Sequence, residues 1–205
     1  MTRERPRGCR RWGFQGRARP LTGTLVLGPA VEPRCQTGVM GDPEFRHWEV
    51  AGGLIQGEGG LLLVANRRRG GHLEWTPPGG VVDRGETSIL ALGREVAEET
   101  GLMVDLWSSL VYEVSVEFPD REMFLRVQVF RAESWSGSLV FDDPESIVED
   151  GRFVDDHEGL RLLETAPRWV SEPVGAWIKN DLVGGDRFDY VAHGMDHHSL
   201  VVEQR

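Results

Sequence analysis

At 205 residues, 40% of them hydrophobic, the chain is long enough to bury one core, and it holds no run near the roughly 18 apolar residues that a membrane span needs. The net charge of −10 is unevenly placed: residues 1–39 carry +6 and residues 40–205 carry −16. A body this acidic argues against binding to long nucleic acid, where basic contacts to phosphate dominate affinity, but not against a small phosphorylated substrate that arrives with its own cation.

Residues 1–39 are rich in Arg, Gly and Pro without a sustained period, and read as a disordered basic extension. Arg10-Arg11-Trp12-Gly13-Phe14 is faintly similar to a twin-arginine export signal, yet the apolar run Leu25–Val31 is short and broken by Gly28-Pro29. The alternative is that the segment is foreign to the native protein and that Met40 is the true start. Both cysteines, Cys9 and Cys35, fall in this segment. The acidic body thus has no disulfide framework or cysteine-based zinc site, and a reducing, cytoplasmic setting is the default.

Residues 40–183 form the expected domain. His47–Gln56 and the apolar run Leu61–Arg67 read as strands, with hairpin-turn chemistry in Gly57-Glu58-Gly59-Gly60 between them. Leu73-Glu74-Trp75-Thr76 is a short strand running into a sharp turn at Pro77-Pro78-Gly79-Gly80. Good helix formers follow from about Thr87 to Thr100, with Gly101 a natural terminator. Val104–Phe118 and Glu122–Trp135 make a long antiparallel pair across Pro119-Asp120-Arg121, and Arg152–Val154 is one more short strand. Ser171 is the expected N-cap of a helix with Pro173 in its first turn, burying Val174, Trp177, Ile178 and Leu182. Residues 184–205 read as a tail or small hairpin, from Arg187–Ala192 and Ser199–Val202. Strands alternating with helices give an α/β fold.

The chemistry is concentrated in the first helix. At 100° per residue, Ile89, Leu92 and Val96 share one face, and Glu95, Glu98 and Glu99 share its neighbour. Like charges at these offsets cost a helix roughly 0.2–0.5 kcal/mol per pair. A solvated acidic face tolerates that cost; a hard divalent cation with oxygen ligands reverses its sign.

The spacing from Gly80 to Leu102 resembles the Nudix box, G-x5-E-x7-R-E-U-x-E-E-x-G-U with U aliphatic. Gly80, Glu86, Arg94, Glu95, Val96, Glu98, Glu99, Gly101 and Leu102 fill every fixed position without a gap. The resemblance implies a Nudix-type α/β/α sandwich with a mixed sheet. It also implies hydrolysis of a diphosphate bridge in a nucleoside diphosphate linked to another group, with Mg²⁺ or Mn²⁺ as cofactor. Carried over residue by residue, Glu95, Glu98, Glu99 and the Gly80 carbonyl are the metal ligands, and Glu86 pairs with Arg94 in a structural role. The general base comes either from the box glutamates (Glu98, Glu99) or from a later acidic loop, where Glu145 is the chosen candidate.

Substrate identity is less legible. Trp48, Trp75, Tyr112 and Phe124 are stacking candidates set against a core role, and Trp75 with Arg67 are the expected substrate contacts. Pro119 is close to the position of a proline associated with ADP-ribose cleavage but one residue off register. A damaged or non-standard nucleoside triphosphate is the favoured substrate, ahead of ADP-ribose. His193 with His197-His198 lacks the spacing of a metal site. Homodimers are common in the resembled family; a membrane partner is not expected. The competing classes are a nucleotide-sensing module that has lost turnover and a structural protein with an acidic helix. The complete set of box glutamates counts against both.

Overall fold

The computed structural model describes residues 45–68, 70–141, 148–195 and 200–205. The readings placed on residues 1–39, Met40, Glu145 and His197-His198 therefore lie outside the described residues.

Two sheets organise the body. The principal sheet has six strands in the order β10-β9-β6-β7-β1-β5: β1 (Arg46–Leu54), β5 (Gly79–Val81), β6 (Met103–Phe118), β7 (Met123–Ser136), β9 (Asp186–His193) and β10 (Val201–Gln204). It is mixed, because β1 runs parallel to β7 and β6 parallel to β9, whereas β6–β7, β1–β5 and β9–β10 are antiparallel. The second sheet joins β2 (Gln56–Gly57), β3 (Gly60–Arg67), β4 (Leu73–Thr76) and β8 (Val148–Val154), with β3 at its centre. Leu61 to Ala65 are buried at every position, as a strand covered on both faces requires.

Period-two alternation divides the two cores. On β7, Val129 faces a cluster containing Leu162 and Leu163 of α2 (Asp156–Leu163) and Val174 and Ile178 of α3 (Arg168–Ile178). Its neighbour Phe130 faces the opposite cluster, with Ala51, Leu92, Val96 and Leu102, which seats α1 (Ser88–Thr100). Helices thus cover both faces of the principal sheet, the expected α/β/α sandwich. No helix among the described residues is long and apolar enough to cross a membrane.

Several elements depart from their sequence reading. The Gly57–Gly60 turn forms, but it closes only β2 onto β3; β1 breaks away at Leu54 to lie between β7 and β5. Gly53 makes that path possible, since a Cβ there would lie 2.9 Å from the Trp107 ring. On α1, Ile89 is 36% exposed and Ala91 takes its place in the buried stripe. The α3 helix starts at Arg168, before the proposed cap; Ser171 instead donates its N–H and hydroxyl to the Pro167 carbonyl, and Pro173 sits inside the helix. The extra turn packs Trp169 edge-on against Phe118 at 5.5 Å, offsetting the donor that Pro173 lacks. Leu182 lies beyond that helix. The terminal hairpin forms, and because β9 pairs with β6 over Tyr112–Glu117 it is an edge of the principal sheet rather than an appendage.

Candidate active site

The box helix is bounded by its own side chains. Thr87 Oγ1 accepts the Leu90 N–H at 3.3 Å, and Gly101, at φ 72°, returns its N–H to the Ala97 carbonyl. Burial of Ala91, Leu92, Val96 and Thr100 fixes the rotation of the helix, so Glu95 and Glu99, one turn apart, turn toward β5.

β5 is built to receive them. It enters after Pro77-Pro78 and pairs with β1, setting Gly79 opposite Gly52 and Gly80 opposite Ala51. Gly79 has φ 148°, and a Cβ there would stand 2.2 Å from the Ala51 carbonyl oxygen. A Cβ on Gly80 would stand 2.4–2.7 Å from the atoms of the Glu95 carboxylate, which therefore rests against the bare Cα. Glu99 Oε2 accepts the Gly79 N–H at 2.9 Å. Two carboxylates spaced four residues apart are thus docked on two consecutive glycines, while Glu98 is 63% exposed.

Arg94 bridges Glu86, Glu95 and Glu98. Its Nε and Nη2 fork onto Glu86 at 3.2 and 3.0 Å, and its Nη1 reaches Glu95 at 2.7 Å and Glu98 at 3.4 Å. Glu86 also accepts the Asp83 N–H at 3.2 Å, so the pair ties the loop to the helix. The hydrogen bond from Arg94 holds the Glu86 carboxyl below the usual carboxylate range, and the same bond raises Arg94. For Glu95, burial pushes the pKa up and outweighs the opposing pull of Arg94.

No three His, Cys, Asp or Glu side chains among the described residues converge as a ready ligand set. The donor types do fit a hard divalent cation: the Glu95, Glu98 and Glu99 carboxylates and the Gly80 carbonyl are all oxygens, on a helix and turn that meet at Gly80. Glu95 would exchange its Arg94 contact for the ion.

The other candidates lie elsewhere. Arg67, at the end of β3, donates from Nε and Nη2 to Glu149 and from Nη1 to the Gly71 carbonyl at 2.7 Å. Trp75 is 8% exposed within the core, its backbone N–H donating to Thr165 Oγ1 and the Arg152 guanidinium 4.9 Å above its ring. That ring is a packing surface rather than an open stacking platform. Tyr112 is likewise buried, Phe124 packs beside His47, and Pro119 opens the short 3-10 turn Pro119–Arg121 between β6 and β7. His193 lies 3.7 Å from Asp120. Two buried acids went unnoticed in the sequence. Glu74, 2% exposed, meets Arg68 at 2.6 Å and His72 at 3.3 Å; Glu113, 7% exposed, is gripped by Arg126 at 2.6 Å and by Arg187. Their signal, an acid at an inward strand position, is visible only once each strand's facing is known.

The family pattern described as the NUDIX domain aligns with residues 46–174, more than half of the chain. The chain belongs to the NUDIX family. Among curated proteins, this NUDIX chain is 34% identical over 90 residues to the oxidized purine nucleoside triphosphate hydrolase of Danio rerio, an alignment covering 44% of this chain and 57% of that protein. It is 32% identical over 92 residues to the 8-oxo-dGTP diphosphatase of Escherichia coli K12, covering 42% of this chain and 70% of the other. Among solved structures, a MutT protein from Methanosarcina mazei Go1 superposes with a TM-score of 0.55 at 22% identity, covering 67% of this chain and 96% of that one. A mutator MutT protein from Bacillus halodurans gives 0.54 at 21%, covering 77% and 97%. These structural likenesses establish the fold.

Proposed function

We propose that this NUDIX chain is a divalent-metal-dependent hydrolase, with Mg²⁺ or Mn²⁺, that opens the diphosphate bridge of a nucleoside triphosphate and releases a nucleoside monophosphate and pyrophosphate. The observation that carries this reading is the docking of Glu95 on Gly80 and Glu99 on Gly79 by a helix that holds a complete box. Oxidised purine nucleoside triphosphates are the favoured substrates, because the similar proteins of Danio rerio and E. coli are named for that class.

Glu95, Glu99 and the Gly80 carbonyl would hold the cation. When bound, it supplies charge neutralisation on the phosphoryl oxygens and acidifies water. Glu98, the exposed carboxylate of the three, takes the proton of the attacking water. The water oxygen forms a new bond to phosphorus, the bridging P–O bond breaks, and its electrons leave with the pyrophosphate. Glu145 is the alternative proton acceptor. Arg94 and Glu86 keep the loop against the helix throughout.

The test is a panel of 8-oxo-dGTP, dGTP and ADP-ribose with Mg²⁺, with product nucleotides resolved by chromatography. Nucleoside monophosphate from 8-oxo-dGTP, lost on adding EDTA and in Glu99→Gln, is the expected result. AMP from ADP-ribose alone would move the substrate to nucleotide sugars. No monophosphate from any member would refute the hydrolase reading.

A further inference from the structure

One rung of the principal sheet runs under the box helix. Register sets Gly80 of β5 opposite Ala51, Ala51 opposite Gln128, Gln128 opposite Glu113 and Glu113 opposite Arg187. All five point to the α1 face. The Cα–Cβ direction of Gly80 meets the Glu95 carboxylate, Ala51 packs in the cluster with Leu92 and Val96, and Gln128 Oε1 accepts the Ser88 hydroxyl at 2.7 Å. The helix is therefore anchored to a single rung at Ser88 and at Glu95. Seven residues of helix rise about 10 Å, and two strand spacings from β7 to β5 measure about 9.5 Å. The two anchors match in span.

The far end of the rung determines which way Gln128 faces. Glu113 takes Arg126 Nε at 2.8 Å and an Arg187 guanidinium N–H, and Gln128 Nε2 donates to it at 3.3 Å. A carboxylate only accepts, so it selects the amide nitrogen of Gln128 and leaves the amide oxygen for Ser88. None of the fixed positions of the box is Ser88, Gln128 or Glu113.

We propose that Gln128, oriented by Glu113 and acting through Ser88, is a positioning residue that fixes the seating of the box glutamates over Gly79 and Gly80. This rests on the metal-site reading above. The experiment compares Ser88→Ala, Ser88→Thr, Gln128→Leu and the Ser88→Ala/Gln128→Leu double variant by Mn²⁺ titration of the full chain, followed by electron paramagnetic resonance. Amide hydrogen exchange across residues 88–100 is measured in parallel without metal. Ser88→Ala and Gln128→Leu should each weaken Mn²⁺ binding about five-fold, the worth of one ordinary hydrogen bond. The double variant should lose no more than either alone, and Ser88→Thr, which keeps the hydroxyl, should bind as the parent does. Exchange in the first turns of α1 should speed up in the same pattern. Unchanged affinity in the single variants, or additive losses in the double, overturns the proposal. If the parent chain itself takes up no Mn²⁺, the hydrolase reading falls on its own, and exchange then decides the tether: equal protection in Ser88→Ala and Ser88→Thr refutes it.

Discussion

A single missing Cβ shapes the site more than any charge does. The Glu95 carboxylate occupies the space a side chain on Gly80 would fill, so Gly80→Ala must displace it or shift β5. The expected outcome is a loss of turnover of at least about 100-fold, in line with a displacement of about 1 Å at a catalytic group. Thermal unfolding, measured on the same sample, should move by only a few degrees, because the turn is short and partly exposed. A Gly80→Ala protein with full activity would show that Glu95 works from elsewhere. The box glutamates, Arg94, Glu86 and Gly80 were legible in sequence because they are held at fixed offsets on one helix and one turn. Trp75 was not, since an aromatic residue in a strand reads the same whether its ring meets a ligand or, as here, Arg152 and the core. The Arg67–Glu149 and Glu113–Arg187 pairs were equally hidden, because their partners are far apart in the chain and meet only through strand pairing.

Among the elements, those with strong local signals came through: the box helix with its Thr87 and Gly101 caps, and the β6–β7 pair across Pro119-Asp120-Arg121. The α2 helix was missed although Asp155 and Glu158 have the spacing of a cap followed by an acid three residues later. Asp155 accepts the Glu158 N–H at 2.8 Å, and Leu162 and Leu163 are buried beneath it. Replacing Asp155 with Ala should cost about 1 kcal/mol, the usual value of such a cap. Urea unfolding would register this as a lower midpoint with an unchanged slope; a midpoint equal to the parent's would mean that packing alone holds α2. A proline is normally a boundary marker, but at the start of α3 the packing of Trp169 on Phe118 outweighs it.

At the scale of the whole molecule, acid stability is tied to the Glu113 cluster. Burial alone would raise the Glu113 pKa, but the hydrogen bonds and charges of Arg187 and Arg126 together hold it below the usual carboxylate range. A folded-state pKa lowered in this way contributes stability that is fully present above the unfolded value and disappears as pH falls through the folded one. The parent should therefore lose urea resistance below about pH 4 more steeply than Glu113→Gln, which has no charge there to titrate. Parallel slopes for the two proteins in that window would exclude Glu113 as a contributor.

Strand order also governs the polypeptide while it is being made. Of the described strands β1 emerges first, yet its long neighbour β7 is translated only after the whole box helix and β6. β6 in turn lacks its outer neighbour until β9 has been made. A nascent or prematurely terminated chain that stops short of Asp186 exposes the backbone row of β6 from Tyr112 to Glu117, a bare template on which another copy can dock. Synthesis through β9 is what shields that edge.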